Sequence, residues 1–438
     1  MPPREAKSRR CSSQIMGLND KAWEKLFNKY EILKQIETNG EFYISAKQIK
    51  EFREPRLMTK FDHEVNLPKI FAENDLAILP ITRGDYVISS FSAYKKLEPI
   101  SAEVQRVNAP SNLQSLIPQY IMNEAVALNF ASASGILNDF LEDENIIPTI
   151  NGRMGSGEFE FDIETALGKK SVLVSNSQIE IDASFEGRNY FSLFEAKRDL
   201  SEDFLIRQLY YPFRVWKDRV EKDVKTVFMV FSNGVFNLYQ YQFEDPQNYN
   251  SLVLAKQKNY VISREITLSD IEDILKETEI VSEPEIQFPQ ADTFSRIVNL
   301  MELLYEHPMS KQEITEQYQF NSRQTNYYAD AGRYLDLIEK EEPSKRSSPY
   351  KLTKIGKKII GLEYKQRQLA LAKQILKYKV FNETLKCHLR CGSMPSKNEI
   401  AKFMKDAKVY NVKSEETFLR RAHSVENWIN WILELVED

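Results

Sequence analysis

Residues Ile179-Glu180-Ile181-Asp182 and Tyr190-Phe191-Ser192-Leu193-Phe194-Glu195-Ala196-Lys197 flank a short turn at Glu186-Gly187-Arg188-Asn189. Both arms are rich in β-branched and aromatic residues, and a Gly-containing turn separates them, so the stretch predicts a β-hairpin. Side chains of a strand alternate faces with a period of two. Glu195 and Lys197 therefore share a face, as do Glu180 and Asp182. If the arms pair, up to three carboxylates and one ammonium meet at one end of strands otherwise apolar enough to form a core. Buried charges are costly unless they pair or bind a metal. A carboxylate cluster of this kind is a hard-oxygen site suited to Mg2+, which takes one or two protein carboxylates and leaves its other positions to water and phosphate.

Asp182 followed on the next strand by Glu195-Ala196-Lys197 resembles the PD-(D/E)xK nuclease signature, although the leading Pro is absent. The next helix carries Arg207-Gln208-Leu209-Tyr210-Tyr211, similar to the Gln and Tyr that many members place behind the active site. Upstream, Asn123-Glu124-Ala125 resembles the first-helix Glu that some members add as a metal ligand. The resemblance covers about Asn123 to Trp216. It implies a restriction-endonuclease-like core, a mixed sheet flanked by helices. It also implies that Asp182 and Glu195 ligate Mg2+, that Lys197 orients or deprotonates the attacking water, and that Glu124 and Gln208 support them. Glu180 is the reserve carboxylate. The bland alternative is an exposed hairpin with a Lys–Glu pair of small energetic consequence.

Composition bounds the rest. A chain of 438 residues divides into two to four domains. With 42% hydrophobic and 28% charged residues it has the balance of a globular protein, and 25 Phe and 21 Tyr against 14 Gly argue for packed cores. The net charge of −5 confines any DNA affinity to local patches. No apolar run is long enough to cross a membrane. The basic start, Arg4 to Arg10, lacks the apolar stretch of a secretory signal. Three cysteines, Cys11, Cys387 and Cys391, give an odd count that fits a reducing cytoplasm. Cys387, His388 and Cys391 on one predicted helix make a poor zinc site, having no second cluster.

Four units are expected. Residues 1–105 read as helices, a short strand at Phe42–Ile44 and a strand–turn–strand from Ala77 to Ile88, a small α+β module with a winged-helix-like order. Arg53, Arg56, Lys60 and Arg83 lie at its breaks and turn, as phosphate or base contacts or as a solvated basic rim. Residues 106–283 form the nuclease-like domain. It opens with a helix from about Ile117 to Phe130 and continues into the Gly-rich turn Asn151–Gly157, where Arg153 is a candidate DNA contact. The run Thr226–Phe231 predicts a strand buried on both faces.

Beyond Ser282-Glu283-Pro284 the chain turns helical. Residues 288–362 show helix, helix, turn, helix and hairpin, a winged helix-turn-helix pattern. Arg323, Gln324 and Asn326 open its third helix, and Lys345 and Arg346 occupy the hairpin tip. Residues 351–400 hold twelve basic and three acidic side chains, the sharpest charge bias in the chain. Residues 363–438 read as a second helical DNA-binding unit in which Lys413, Thr417, Arg420 and Arg421 face DNA. A generic helical bundle is the alternative for both.

These parts predict an α/β (α+β) multidomain endonuclease of the type II restriction class, hydrolysing double-stranded DNA with Mg2+. Its expected partners are a cognate methyltransferase and a second copy in a homodimer. A repair or phage-defence nuclease reading DNA structure, and a non-catalytic DNA-binding regulator, are the competing classes.

Overall fold

A computed structural model describes residues 17–99, 104–108, 113, 115–116, 123–200, 202–262, 266–318, 322–343, 345 and 347–436, with the side chains of 316–318, 322 and 323 left outside the description. The protein is a mixed α+β multidomain chain built on a mixed sheet and helices.

Near the N-terminus, helices Leu18–Lys29 and Ile32–Asn39 pack on a three-stranded antiparallel sheet of Glu41–Ser45, Asp85–Ser89 and Ala77–Pro80. The apolar face of the first helix closes this core, where Trp23 is fully buried and edge-on to Phe71 at 4.8 Å.

The central sheet has seven strands. In spatial order they are Val104–Arg106, Leu252–Val261, Val235–Phe243, Asp223–Ser232, Tyr190–Lys197, Ala183–Glu186 and Ile147–Pro148. Tyr190–Lys197 runs parallel to Asp223–Ser232, and a parallel pair needs a crossover, here the helix Arg207–Lys217. The run Asp223–Ser232 alternates between two cores. Val227, Met229 and Phe231 face the helices Glu124–Ala133 and Ile136–Leu141, whereas Phe228 and Val230 face the crossover helix. The same alternation puts Phe194 and Ala196 on the first face, which turns Glu195 and Lys197 toward the crossover helix.

The expected hairpin is divided. Only Ala183–Glu186 pairs with Tyr190–Lys197, whereas Gln178–Ile181 pairs antiparallel with Gly152–Gly155 in a separate ribbon. Gly152 enters this ribbon with a φ of +88°, a left-handed conformation that favours glycine. Asp182 is the residue at which the chain leaves one sheet for the other. The helix expected from Ile117 runs over Glu124–Ala133, with Asn123 Oδ1 capping Val126 N–H at 2.8 Å, and residues 117–122 lie outside the described residues.

From Ile266 to Ile432 a single continuous apolar core joins all later elements. Helices Phe294–Glu306, Lys311–Tyr318 and Ser322–Tyr334 precede the antiparallel pair Ile338–Lys340 and Tyr350–Leu352, and Met309 forms a single antiparallel bridge to Tyr350. The helices Tyr364–Leu376, Lys379–Cys391, Lys397–Ala407 and Glu415–Leu433 complete this part.

Candidate active site

Asp182, Glu195, Lys197 and Gln208 line one cleft. The position of Asp182 at the change of sheets lets its Oδ2 accept the backbone N–H of Ala196 at 2.8 Å, which ties it to the middle of Glu195-Ala196-Lys197. Glu195 is buried, and its Oε1 accepts both from Lys197 Nζ and from Gln208 Nε2, the latter at 2.6 Å. Gln208 stands in the first turn of the crossover helix, and its other polar atom, Oε1, is buried with no hydrogen-bond partner.

The electrostatics follow from burial opposed by pairing. Burial pushes the Glu195 carboxyl up, Lys197 opposes this, and Asp182 adds to it, leaving a pKa of about 7. Asp182 is likewise raised by burial, against the pull of Lys197 and the Ala196 N–H, with Glu124 and Glu180 adding repulsion. Burial alone would lower the Lys197 ammonium, but Glu195 and Asp182 more than offset it and hold the group protonated. The site thus carries two carboxyls whose pKa values burial raises, together with one ammonium.

That donor set fits a hard divalent cation. One or two carboxylates are what Mg2+ takes from a protein, leaving its other positions to water and phosphate. Among the described residues no group of three or more His, Cys, Asp and Glu side chains is arranged as a metal cage.

The cleft, about 620 Å3, is closed on one side by residues the local motif gives no hint of. Arg56, Lys60 and Asp62 reach it from the N-terminal module, and Arg153 and Arg207 from the central domain. Arg153 pairs with Glu180, its cross-strand neighbour, at 3.2 Å, so that both sit on the rim. Glu124 is close enough to raise the Asp182 carboxyl but is not among the residues lining the cleft. Asp62 faces Lys60 at 3.4 Å and raises both Glu195 and Lys197 through its charge.

A buried tether holds the N-terminal module there. His63 Nδ1 lies 2.8 Å from the Asp203 carbonyl and 3.0 Å from its Oδ1, and Asp203 Oδ2 accepts the Glu64 N–H at 3.3 Å. Tyr94 Oη donates to the Phe61 carbonyl at 2.7 Å. His63 is a lone histidine in Phe61-Asp62-His63-Glu64, with no spacing that links it to residue 203. The short antiparallel pairing of Asp203–Leu205 with Tyr94–Lys96 helps bring them together, as do the bonds from Ser175 N–H to the Ile81 carbonyl at 2.8 Å and from Tyr211 Oη to the Pro80 carbonyl at 2.9 Å.

The remaining basic candidates lie in the C-terminal half. Gln324 and Asn326 are half-buried on the helix Ser322–Tyr334, and Lys345 is exposed and paired with Glu342 at 2.5 Å. The side chain of Arg323 and all of Arg346 lie outside the described residues. Lys413 is exposed, and Thr417 N–H is capped by Ser414 Oγ at 3.2 Å. Arg420 and Arg421 share a second cavity with Gln324. Arg53 is half-buried and Arg83 exposed, both outside the lining of the first cleft.

Three families match the chain in succession, each a domain of unknown function: DUF6996 over residues 20–88, DUF6997 over 89–261 and DUF7226 over 296–437. Asp182, Glu195, Lys197 and Gln208 fall within the second. No curated protein and no solved structure matches the chain.

Proposed function

We propose that the chain is a Mg2+-dependent, sequence-specific double-stranded DNA endonuclease of the type II restriction class, with a restriction-endonuclease-like central domain. The observation that carries the reading is the convergence of Asp182, Glu195, Lys197 and Gln208 in one cleft whose walls also supply Arg56, Lys60, Arg153 and Arg207. Carboxylates, an ammonium and peripheral guanidinium groups in one polar cleft suit a phosphodiester better than an uncharged substrate.

Asp182 and Glu195 would hold Mg2+, with Glu124 as a nearby further carboxylate. Bound there, the ion would supply polarisation of the scissile phosphate and acidification of the attacking water. Lys197, held as an ammonium by its two carboxylate neighbours, stabilises the charge that develops on the phosphorane oxygens. Lys197 would pass a proton to or from the water only once its pairing with Asp182 and Glu195 is relieved. Gln208 fixes the rotamer of Glu195 through its 2.6 Å hydrogen bond. Arg56, Lys60 and Arg153 hold the flanking phosphates.

The order of helices and short strands from Phe294 to Leu352 is that of a winged helix, which supports duplex reading through Arg323, Gln324 and Asn326, with Lys345 and Arg346 at the wing. A homodimer and a cognate DNA methyltransferase complete the proposal. The test is digestion of unmethylated phage DNA by the purified chain in Mg2+. Discrete bands whose sequenced ends share one site support the reading. A uniform smear identifies a structure-directed nuclease, and tight binding without cutting leaves a regulator.

A further inference from the structure

The C-terminal half contains a buried guanidinium that no carboxylate among the described residues pairs with. Arg421, on the helix Glu415–Leu433, is only 6% exposed. Its Nε is fully buried without a hydrogen-bond partner, and no carboxylate among the described residues forms an ion pair with it. Burial, and then the charge of Arg420 beside it, push its pKa down to about 10, still charged at neutral pH. Asp292 and Tyr327 offset this only in part, and the Asp292 carboxylate is already engaged by Ser424 Oγ at 2.7 Å.

Packing gives Arg421 little room to escape. One and two turns further along its helix, Val425 and Trp428 are fully buried, and the Trp428 indole stacks on Phe381 at 5.1 Å and donates to the Ala291 carbonyl at 2.8 Å. A long basic side chain ordinarily reaches solvent or a carboxylate. Arg421 instead lines a cavity of about 540 Å3 at the seam between the helix Ser322–Tyr334 and the last two helices. Lys397, Arg420 and His423 join it there, and Gln324 and Tyr327 form the facing wall. Three permanent cations against one occupied carboxylate leave the cavity electropositive. A guanidinium fork matches phosphate oxygens bidentately, and an amide beside an aromatic ring suits the base and sugar attached to such a phosphate.

We propose that this cavity is a phosphate-binding site in which Arg421 and Arg420 hold the phosphate of a nucleotide unit, with Gln324 and Tyr327 against its nucleoside. The proposal does not rest on the hydrolytic reading of the first cleft. The same chemistry is offered by a phosphodiester of a nucleic-acid backbone and by the terminal phosphate of a free nucleotide.

The full chain in EDTA is tested with inorganic phosphate, 5′-AMP and a 20-base-pair duplex, by thermal shift and titration calorimetry. Arg421→Gln, the exposed-site variant Arg420→Gln and the remote control Lys21→Gln, on the exposed face of the first helix, are compared with wild type. The expected result is a rise in Tm with inorganic phosphate and 5′-AMP in wild type and Lys21→Gln that both arginine variants lose, with affinity falling about tenfold or more, and a weaker duplex response in both arginine variants. Arg421→Gln without ligand is expected to melt at or above wild type, because an unpaired buried charge has been removed. Loss confined to the duplex assigns the site to a nucleic-acid backbone, and loss for 5′-AMP with duplex binding unchanged assigns it to a free nucleotide. If Arg421→Gln does not fold, Arg420→Gln carries the comparison. Unchanged affinity for every probe in the arginine variants, or no binding of any probe by wild type, overturns the proposal.

Discussion

Asp182 occupies the single position that touches both halves of the motif. Its Oδ2 is held by the Ala196 N–H, and its charge acts on both Glu195 and Lys197. Asp182→Ala and Lys197→Ala are each expected to reduce cleavage by at least about 10²–10³-fold. Far-UV dichroism should stay near wild type, while Lys197→Ala is expected to lower Tm because the buried Glu195 loses its cationic partner. Asp143 is a second residue of consequence, absent from any motif. Its buried carboxylate accepts the N–H groups of Arg188, Asn189 and Tyr190 at 3.0, 2.9 and 3.1 Å and so shapes the turn that opens the Glu195 strand. Gly187 has no Cβ because one would lie 2.4 Å from Asp143 Oδ2. Burial raises the Asp143 carboxyl, and the three N–H donors more than reverse this, so the folded pKa lies below the ordinary 3.8. A depressed carboxyl contributes stability above its unfolded pKa and loses it as the pH falls through the folded value. Asp143→Asn is therefore expected to cost about 2 kcal/mol near neutral pH by urea unfolding. The difference from wild type should shrink steadily below the ordinary aspartate value of 3.8.

Among the elements, the helix Phe294–Glu306 links the C-terminal core to the central sheet. Asn299 Nδ2 donates to the Arg198 carbonyl at 2.8 Å, and its Oδ1 accepts the Leu200 N–H at 3.2 Å, which grips the chain just beyond Lys197. Glu302 Oε2 accepts from Asn233 N–H at 3.1 Å and Ser232 Oγ at 3.3 Å, while its Oε1 faces the buried Arg367 at 3.7 Å. Glu302→Ala removes the carboxylate that faces Arg367 and is expected to cost about 3–5 kcal/mol in chemical unfolding. Restoration of stability by a second change, Arg367→Met, would identify the uncompensated charge as the cause. In the sequence this helix reads as an amphipathic stripe, and the periodicity cannot say that Asn299 and Glu302, on the buried face, meet another domain. The same limit applied to Ile179–Asp182. Alternation gave its strand character but not its partner, because pairing with Gly152–Gly155 or with Tyr190–Lys197 satisfies the same pattern.

At the scale of the whole molecule, legibility followed contact range. Glu195, Lys197 and Gln208 lie within 14 residues of one another, and their grouping follows from a strand and the helix after it. Arg56, Lys60 and Asp62 come from a different module, placed by the His63–Asp203 tether and the pairing of Asp203–Leu205 with Tyr94–Lys96, which no local spacing encodes. His63→Ala is expected to leave the buried Asp203 with one partner fewer and lower stability by about 1–3 kcal/mol by urea unfolding. For a chain of net charge −5, substrate affinity depends on such placed cations. Arg56→Gln and Lys60→Gln are expected to weaken duplex binding uniformly across sequences, each lowering the slope of log K against log salt by about 1 in fluorescence anisotropy. Turnover of saturated enzyme should change less than affinity does. The most direct measurement is single-turnover cleavage of an unmethylated DNA by wild type, Asp182→Ala and Lys197→Ala, in Mg2+ and in EDTA, with duplex affinity recorded in parallel. Wild type is expected to cut in Mg2+ alone, and cutting is expected to be abolished in both variants while duplex binding persists. Equal cutting by wild type and both variants, or cutting undiminished in EDTA, would contradict it.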